Sequence, residues 1–205
     1  MAFEGWPAEA LAFYEGLGAD NTKAYWEAHR AIYERCVKGP MEALLAELED
    51  DFGSGRMFRP YRDIRFSHDK RPYKLSCSAH VRGAFISLSA DGLFVGSGLY
   101  MPEPDRLERY RDAVAAPASG AALESIVAAL SADGYTVGSH ESLRTAPRGY
   151  AKDHPRIGLL RQKGIAMSRS WPPGPWLATA APKDRVIACL QAAAPLNAWI
   201  ERYVG

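Results

Sequence analysis

Apolar residues recur every three to four positions through the first fifty residues, and this spacing predicts helices. The first predicted helix covers residues 8–17 and the second covers about 22–38, with Asp20 or Asn21 as its N-cap and Gly39 as its end. A third begins at Pro40, which suits a first helical turn. Acidic residues fill the other helix faces, so we expect those faces to be solvated.

The pattern then changes to alternation, which is typical of strands. Phe58, Ile64 and Phe66 alternate with arginines at 59 and 65, which predicts a strand across this stretch. Two further apolar runs, residues 84–89 and 93–96, flank Ala90-Asp91-Gly92. Asp-Gly between two apolar runs favours a tight turn, so these runs are predicted to form a hairpin.

The second half of the chain mixes short elements. Ser119 is predicted to cap one helix and Asp133-Gly134 to end it, and the Pro/Trp-rich stretch 168–175 is predicted to be a loop. The other predicted helices cover residues 101–115, 155–161, 182–194 and 196–204, and short strands cover 135–137, 142–145 and 165–167. This order predicts an α+β fold in one domain, residues 1–205, with an antiparallel-rich central sheet covered by several helices and preceded by the N-terminal ones.

Composition excludes some classes of protein. The 205 residues are 47% hydrophobic and 24% charged, which excludes wholesale disorder. The longest uncharged run, residues 186–200, is shorter than the roughly 18–20 apolar residues of a membrane helix, and no signal-peptide pattern opens the chain. Three distant cysteines without a CxxC pair fit a reducing compartment. We therefore expect a cytoplasmic protein without a membrane partner.

The net charge of +1 hides four alternating blocks. Residues 56–82 carry eight basic and two acidic residues, and residues 143–205 carry ten basic and three acidic ones. The other two blocks are acidic and coincide with predicted helix surfaces. The sequence pI of about 7.7 argues against a dedicated nucleic-acid partner, while the basic blocks leave room for a local anion site.

The first basic block contains an unusual motif between residues 59 and 74. If this stretch were extended, Arg59, Tyr61, Asp63 and Arg65 would point the same way, and the arginines could pair with Asp63 while still presenting donors to an anion. Three interpretations remain open: a structural ion-pair network, a phosphate or carboxylate site, and a nucleic-acid backbone surface. The candidate ligand-binding residues in this motif are Arg62, Asp63, Arg65, Lys70, Tyr73 and Lys74.

The run from Arg62 to Lys74 resembles the signature of the family called domain of unknown function 2461, an Arg-Asp-x-Arg-Phe stretch followed by Asp-Lys and then Tyr. Three other stretches resemble motifs of that family: residues 21–26, 96–102 and 147–155. The resemblance covers nearly the whole chain, except for the stretch 168–182. It implies membership of a widespread bacterial family with some fungal members, and it brings no established activity, cofactor or catalytic residue.

The second basic stretch suggests a partner for the first. Arg148 and Tyr150 lie in a turn-forming sequence, and Asp153 is predicted to cap a helix that begins at His154-Pro155. We expect the stretches 59–74 and 144–156 to converge on one basic, aromatic-lined cleft. The glycines at 96 and 98 would form its floor, because glycine lets a ligand approach the backbone.

His68 beside Asp69, and His154 beside Asp153, are candidate acid–base groups. The alternative for both histidines is a satisfied structural hydrogen bond. No HxH, HExxH or HxxxH spacing occurs, so no local metal site is predicted, and nothing indicates a particular cofactor or oligomeric state.

The favoured hypothesis is therefore a basic cleft for a phosphorylated or carboxylated small molecule, in which His68, Asp69 and His154 would be the candidate catalytic residues. The alternatives are a non-catalytic nucleic-acid or protein interaction module and a purely structural ion-pair motif. The sequence leaves open whether the chain is an enzyme.

Overall fold

The computed structural model describes residues 2–65 and 68–205, and it confirms the predicted α+β class: helices precede and accompany a six-strand antiparallel sheet. The α-helices are α1 (Ala8–Ala19), α2 (Lys23–Ile32), α3 (Gly39–Phe52), α4 (Pro104–Ala115), α5 (Pro117–Ala132), α6 (Ile157–Leu160) and α7 (Ala181–Tyr203). The strands are β1 (Arg56–Met57), β2 (Ser76–Val81), β3 (Ala84–Ser89), β4 (Gly92–Leu99), β5 (Thr136–Gly138) and β6 (Ile165–Trp171). A π-helix covers Tyr33–Lys38, and a 3₁₀ helix covers Pro175–Ala178.

The sheet has the strand order β1-β2-β3-β4-β6-β5. Ala90 and Asp91 form the predicted hairpin turn between β3 and β4, and Gly92, the first residue of β4, adopts a φ of +104°, which favours glycine. Antiparallel pairing places His80 of β2 opposite both Arg56 of β1 and Phe85 of β3.

The chain divides into two compact units. The first contains residues up to Val95 together with Ser170–Ala188, and the second contains Gly96–Arg169 and Cys189–Gly205. In the first unit, α3 supplies the fully buried Leu44 and Leu48, and the inward positions of β2 and β3 supply apolar side chains such as Val81 and Ile86. In the second unit, a separate core forms around Tyr110, Leu123, Leu160 and Trp199.

The N-terminal helices depart from the prediction at their ends. The N-cap of α2 is Thr22, whose hydroxyl accepts a hydrogen bond from the Tyr25 N–H, and neither Asp20 nor Asn21 takes that role. Gly39 does not end the second helix, because its backbone is right-handed helical and the chain remains helical through the π-helix into α3. The π-helix keeps Tyr33, Cys36 and Val37 buried, which outweighs the low helix propensity of Gly39.

The predicted strand across residues 58–66 is wrong for the residues that the structure describes, and Phe66 lies outside them. Only Arg56 and Met57 form β1, followed by an isolated bridge between Tyr61 and Tyr73. Pro60 cannot donate to a strand ladder. The side chain of Asp63 accepts the N–H of Arg65, which replaces a strand hydrogen bond by a local one.

Other boundaries also differ. Helix α5 begins at Pro117, and the Ser119 hydroxyl donates to the Ala113 carbonyl inside the first turn rather than capping it. Strand β6 runs on through the predicted loop to Trp171, and the predicted strand at 142–145 is a single bridge from Ser142 to Gln162. The two predicted C-terminal helices form one helix, α7, because buried apolar residues continue on both sides of Pro195.

Cys36, Cys77 and Cys189 are free thiols in buried positions. Burial raises the pKa of Cys77 to about 12 and that of Cys189 to about 11. No single helix in the described residues is both long and apolar enough to cross a membrane; by length and composition alone, α4 and α5 pass the test together, as a pair bent by 94°.

Candidate functional site

A cleft of about 380 Å³ opens in the first unit, between the helices and the chain that follows β1. Its volume lies in the range of small-molecule sites, roughly 300–1,000 Å³. Helix α2, the π-helix and α3 form one side, and residues 57–61 form the other. The lining residues are Trp26, Arg30, Tyr33, Glu34, Lys38, Glu42, Met57, Phe58, Arg59, Pro60 and Tyr61.

The π-helix places three of these residues, Tyr33, Glu34 and Lys38, on the cleft. The π-helix has a wider turn than the α-helices on either side of it, and short π segments are frequent at functional sites. Nothing in the apolar spacing distinguishes it from α-helix, so the sequence prediction treated residues 22–38 as one regular helix.

Stacked and tilted aromatic rings build the inner wall of the cleft. The ring of Trp26 lies 4.7 Å from that of Tyr33 and 6.0 Å from that of Tyr61. Behind it, Tyr73 stacks on Trp26 with ring centroids 4.5 Å apart and planes 6° apart. Trp26, Tyr33 and Tyr73 are buried, whereas Tyr61 is 48% exposed. Burial first, then the nearby Cys77 and acidic side chains, raise the pKa of Tyr33, so its phenol stays protonated.

The rim of the cleft carries charges of both signs. Lys38 Nζ lies 2.9 Å from a Glu34 carboxylate oxygen and 3.8 Å from one of Glu42, and its pKa is raised, first by the hydrogen bond to Glu34. Lys38 thus partly neutralises both carboxylates. In the described part of the chain, Arg30 and Arg59 are exposed and form no salt bridge, so their guanidinium donors face the solvent at the cleft.

The predicted motif, residues 59–74, forms ion pairs among its own residues in the loop between β1 and β2. Asp69 accepts hydrogen bonds from Arg62 at 2.5 Å and from Arg71 at 2.7 Å, and these donors lower its pKa well below the ordinary range. Asp63 is paired with Arg65 in a bidentate contact of 3.0 and 2.6 Å, which lowers the pKa of Asp63. These pairs stay inside the loop and do not join it to the acidic helices.

The other motif residues have varied surroundings. Lys70 donates to the Ile64 carbonyl at 3.2 Å, and His68 is exposed. Lys74 lies over the ring of Phe58, 5.3 Å from its centroid, and partial burial followed by the nearby Arg59 lowers the pKa of Lys74. Tyr73 is buried behind the cleft rather than lining it.

The second basic stretch lies in the second unit, and its residues also have local partners. The Tyr150 hydroxyl donates to Asp112 at 2.8 Å, and its pKa is raised to about 12, first by burial and then by that carboxylate. Helix α6 begins at Ile157, so Asp153 does not cap it; the Arg156 N–H donates to His154 Nδ1 instead, at 3.0 Å. Arg148 is exposed. The convergence of stretches 59–74 and 144–156 stays a prediction.

Gly98 has its own packing role in the second unit. Its φ is +136°, and a Cβ there would lie 2.5 Å from the Ile165 carbonyl oxygen and 2.7 Å from Ala166 Cα. The missing side chain therefore admits the backbone of β6. No group of three or more His, Cys, Asp or Glu residues suited to a metal ion occurs among the residues described here.

Sequence reasoning missed most of the cleft. Arg59 and Tyr61 belong to the predicted motif, but the sequence analysis assigns no role to Arg30, Glu34 or Lys38. A detectable signal is the pair of aromatic residues Trp26 and Tyr33, which lie seven positions apart and therefore on one face of the second predicted helix.

The structure is an α+β fold with an aromatic-lined cleft, on which Arg30 and Arg59 form no salt bridge with any residue that the structure describes. A family model described as "Conserved hypothetical protein (DUF2461)" matches residues 9–199, and the chain belongs to this family. No curated protein and no solved structure matches the chain.

Proposed function

We propose that this protein binds a small molecule that carries a carboxylate or phosphate and an aromatic or apolar body, in the cleft of the first unit. The observation that carries this proposal is the pair Arg30 and Arg59, which form no salt bridge with the residues described and lie beside a wall of aromatic rings. Guanidinium groups recognise carboxylates and phosphates through charge-assisted, often bidentate hydrogen bonds.

The aromatic wall determines which part of the ligand enters the cleft. Trp26 and Tyr33 are buried and held by their neighbours, so they offer a preformed apolar surface at little cost in side-chain entropy. Tyr61 and Phe58 are 48% and 41% exposed, and they would lose water when a ligand covers them. An aromatic ring or short apolar chain thus fits the wall, with its anionic group toward the arginines.

The acidic side chains at the rim favour a ligand with a single anionic group over a polyanion. The two carboxylates of Glu34 and Glu42 pair with the single positive charge of Lys38, so this side of the cleft keeps a net negative charge. Arg62 and Arg65 of the β1–β2 loop, both candidate ligand-binding residues, form salt bridges with Asp69 and Asp63, so the proposal places the anionic group at Arg30 and Arg59 instead.

Isothermal titration with phenyl phosphate, benzoate, inorganic phosphate and benzyl alcohol tests the proposal. We expect an aromatic anion to bind at least about tenfold more tightly than inorganic phosphate or the neutral alcohol, because only it engages both the arginines and the rings. R30Q or R59Q should weaken that binding about tenfold or more, the range for a hydrogen bond to a charged group.

R144Q is the matched control, because Arg144 is an exposed arginine of the second unit, outside the cleft. It should leave binding unchanged. The proposal fails if neither aromatic anion binds, or if R30Q, R59Q and R144Q all bind as the wild type does.

A further inference from the structure

The outer face of the sheet in the first unit carries an exposed aromatic stripe, formed by Phe58, Phe85 and Phe94. The ring centroids of Phe58 and Phe85 are 6.0 Å apart, and those of Phe85 and Phe94 are 6.2 Å apart. Their exposed fractions are 41%, 37% and 37%. These three phenylalanines, one just after β1, one in β3 and one in β4, form an exposed apolar patch.

The register of the strands shows which other side chains share this face. Arg56 and Phe85 both lie opposite His80, and directly opposed residues of antiparallel strands point to the same side. Ser78 and Ser87 form the next pair on that side, and their hydroxyls are hydrogen-bonded at 3.0 Å. Both serines are buried, so the exposed positions of β1, β2 and β3 in these pairs hold only Arg56, His80 and Phe85, and no acidic residue.

Basic groups border the stripe. Lys74 Nζ lies 5.3 Å from the centroid of the Phe58 ring, and the exposed Arg56 lies opposite His80. The block of residues 56–82 holds eight basic residues against two acidic ones, and both of those, Asp63 and Asp69, are paired with arginines in the β1–β2 loop. The face is thus aromatic and positive at once, which fits a partner with flat rings and a negative backbone.

We propose that this outer face binds single-stranded nucleic acid, with bases stacked on Phe85, Phe94 and Phe58 and the phosphates beside Arg56 and Lys74. Stacking platforms of this type accept any sequence, because every base has a π-face, and a nearby row of cations tracks the backbone. A duplex does not fit, since its bases are already stacked and cannot reach the rings. Phe58 also lines the small-molecule cleft, whereas Phe85 and Phe94 do not, so the test of this proposal rests on Phe85 and Phe94.

Fluorescence anisotropy with a labelled twelve-nucleotide oligothymidine, and with a duplex of the same length, tests the proposal. The single strand should bind more tightly than the duplex, and its affinity should fall as salt rises. The double variant F85A/F94A should bind at least about tenfold more weakly, the loss expected from one stacked base or more. F85Y, which keeps a stacking ring, should bind like the wild type.

Y100A is the matched control, because Tyr100 is a 67% exposed aromatic residue of the second unit. It should not alter binding. R56Q should weaken binding to all sequences and reduce the slope of log K against log salt by about 0.7. Thermal melting of each variant establishes that it is folded.

Three results would overturn the proposal: equal affinity for single strand and duplex, unchanged binding by folded F85A/F94A, or heparin binding as tightly as the oligonucleotide and without dependence on the phenylalanines. Failure here leaves the aromatic-anion site untouched, since R30Q tests that site alone.

Discussion

Trp26 stacks face to face on Tyr73, with ring centroids 4.5 Å apart and planes 6° apart. The contact joins helix α2 to the end of the β1–β2 loop. Asn21 strengthens it: the side-chain amide donates to the Tyr73 carbonyl at 3.1 Å, and its oxygen accepts the Tyr73 N–H at 3.0 Å. The stretch containing Asn21 and Trp26 and the loop motif, separate in the sequence, thus form one structural unit that supports the cleft wall.

The Tyr73 ring is predicted to be a main source of stability for this wall. Tyr73→Ala should lower the free energy of unfolding by about 3–5 kcal/mol, as for other buried aromatic truncations. Tyr73→Phe keeps the stack and should cost far less. Urea unfolding followed by circular dichroism measures both, and equal losses in the two variants would contradict a dominant role for the ring.

Asn21 is predicted to matter as a link to the loop and not as a helix cap. Asn21→Ala should cost about 1–3 kcal/mol, because it leaves the N–H and C=O of the buried Tyr73 unpaired. Asp20→Ala is the matched control and should be close to neutral, since the cap of α2 is Thr22. Chemical denaturation of both variants decides the matter, and a larger loss for Asp20→Ala would restore the capping hypothesis.

Asp69 is predicted to make stability depend on pH in the acid range. Hydrogen bonds from Arg71 and Arg62 lower the folded-state pKa of Asp69 below the ordinary value of 3.8. Its contribution is therefore present above about pH 4 and is lost as the pH falls toward the lowered pKa. Melting temperatures measured from pH 6 downwards should fall less steeply for Asp69→Asn than for the wild type.

Asp91→Asn is the control for that titration. Asp91 lies in the β3–β4 turn and forms no salt bridge within the described residues, and Asn-Gly suits the same turn. Its melting temperature should fall with pH as steeply as that of the wild type. If the melting temperature of Asp69→Asn also falls as steeply as that of the wild type, the Arg62–Asp69–Arg71 contacts add nothing to folding.

Alanine substitutions at Gly83 and Gly92 compare the cost of backbone strain alone with the cost of strain plus a steric clash. Gly83 and Gly92 have φ values of +81° and +104°, but a Cβ at Gly83 would meet open space, whereas one at Gly92 would clash with the backbone of Trp171 and Pro172. Gly83→Ala should cost about 1–2 kcal/mol, the penalty of the left-handed conformation. Gly92→Ala should cost clearly more, and equal losses in a urea titration would show that the β6 backbone yields.

Local patterns were enough to predict the elements that depend on neighbours in the sequence. The hairpin at Asp91-Gly92 and the helices α1 and α4 follow from turn chemistry and apolar spacing, and both are local properties. The Asp63–Arg65 pair was also foreseen, since the two residues are two positions apart. The α+β class followed from the order of these elements.

Tertiary contacts decided the rest. The π-helix at Tyr33–Lys38 and the continuous helix through Pro195 exist because buried side chains on both sides outweigh weak local preferences. The cleft brings Arg30 of α2 together with Arg59 of a distant loop, and no local pattern encodes that pairing. The sequence by itself determined the helical and basic segments and the β3–β4 hairpin, because those properties depend on near neighbours. Only the folded chain decided distant pairs such as Arg156 with Glu124, and which arginines line the cleft, because those contacts join residues far apart in the sequence.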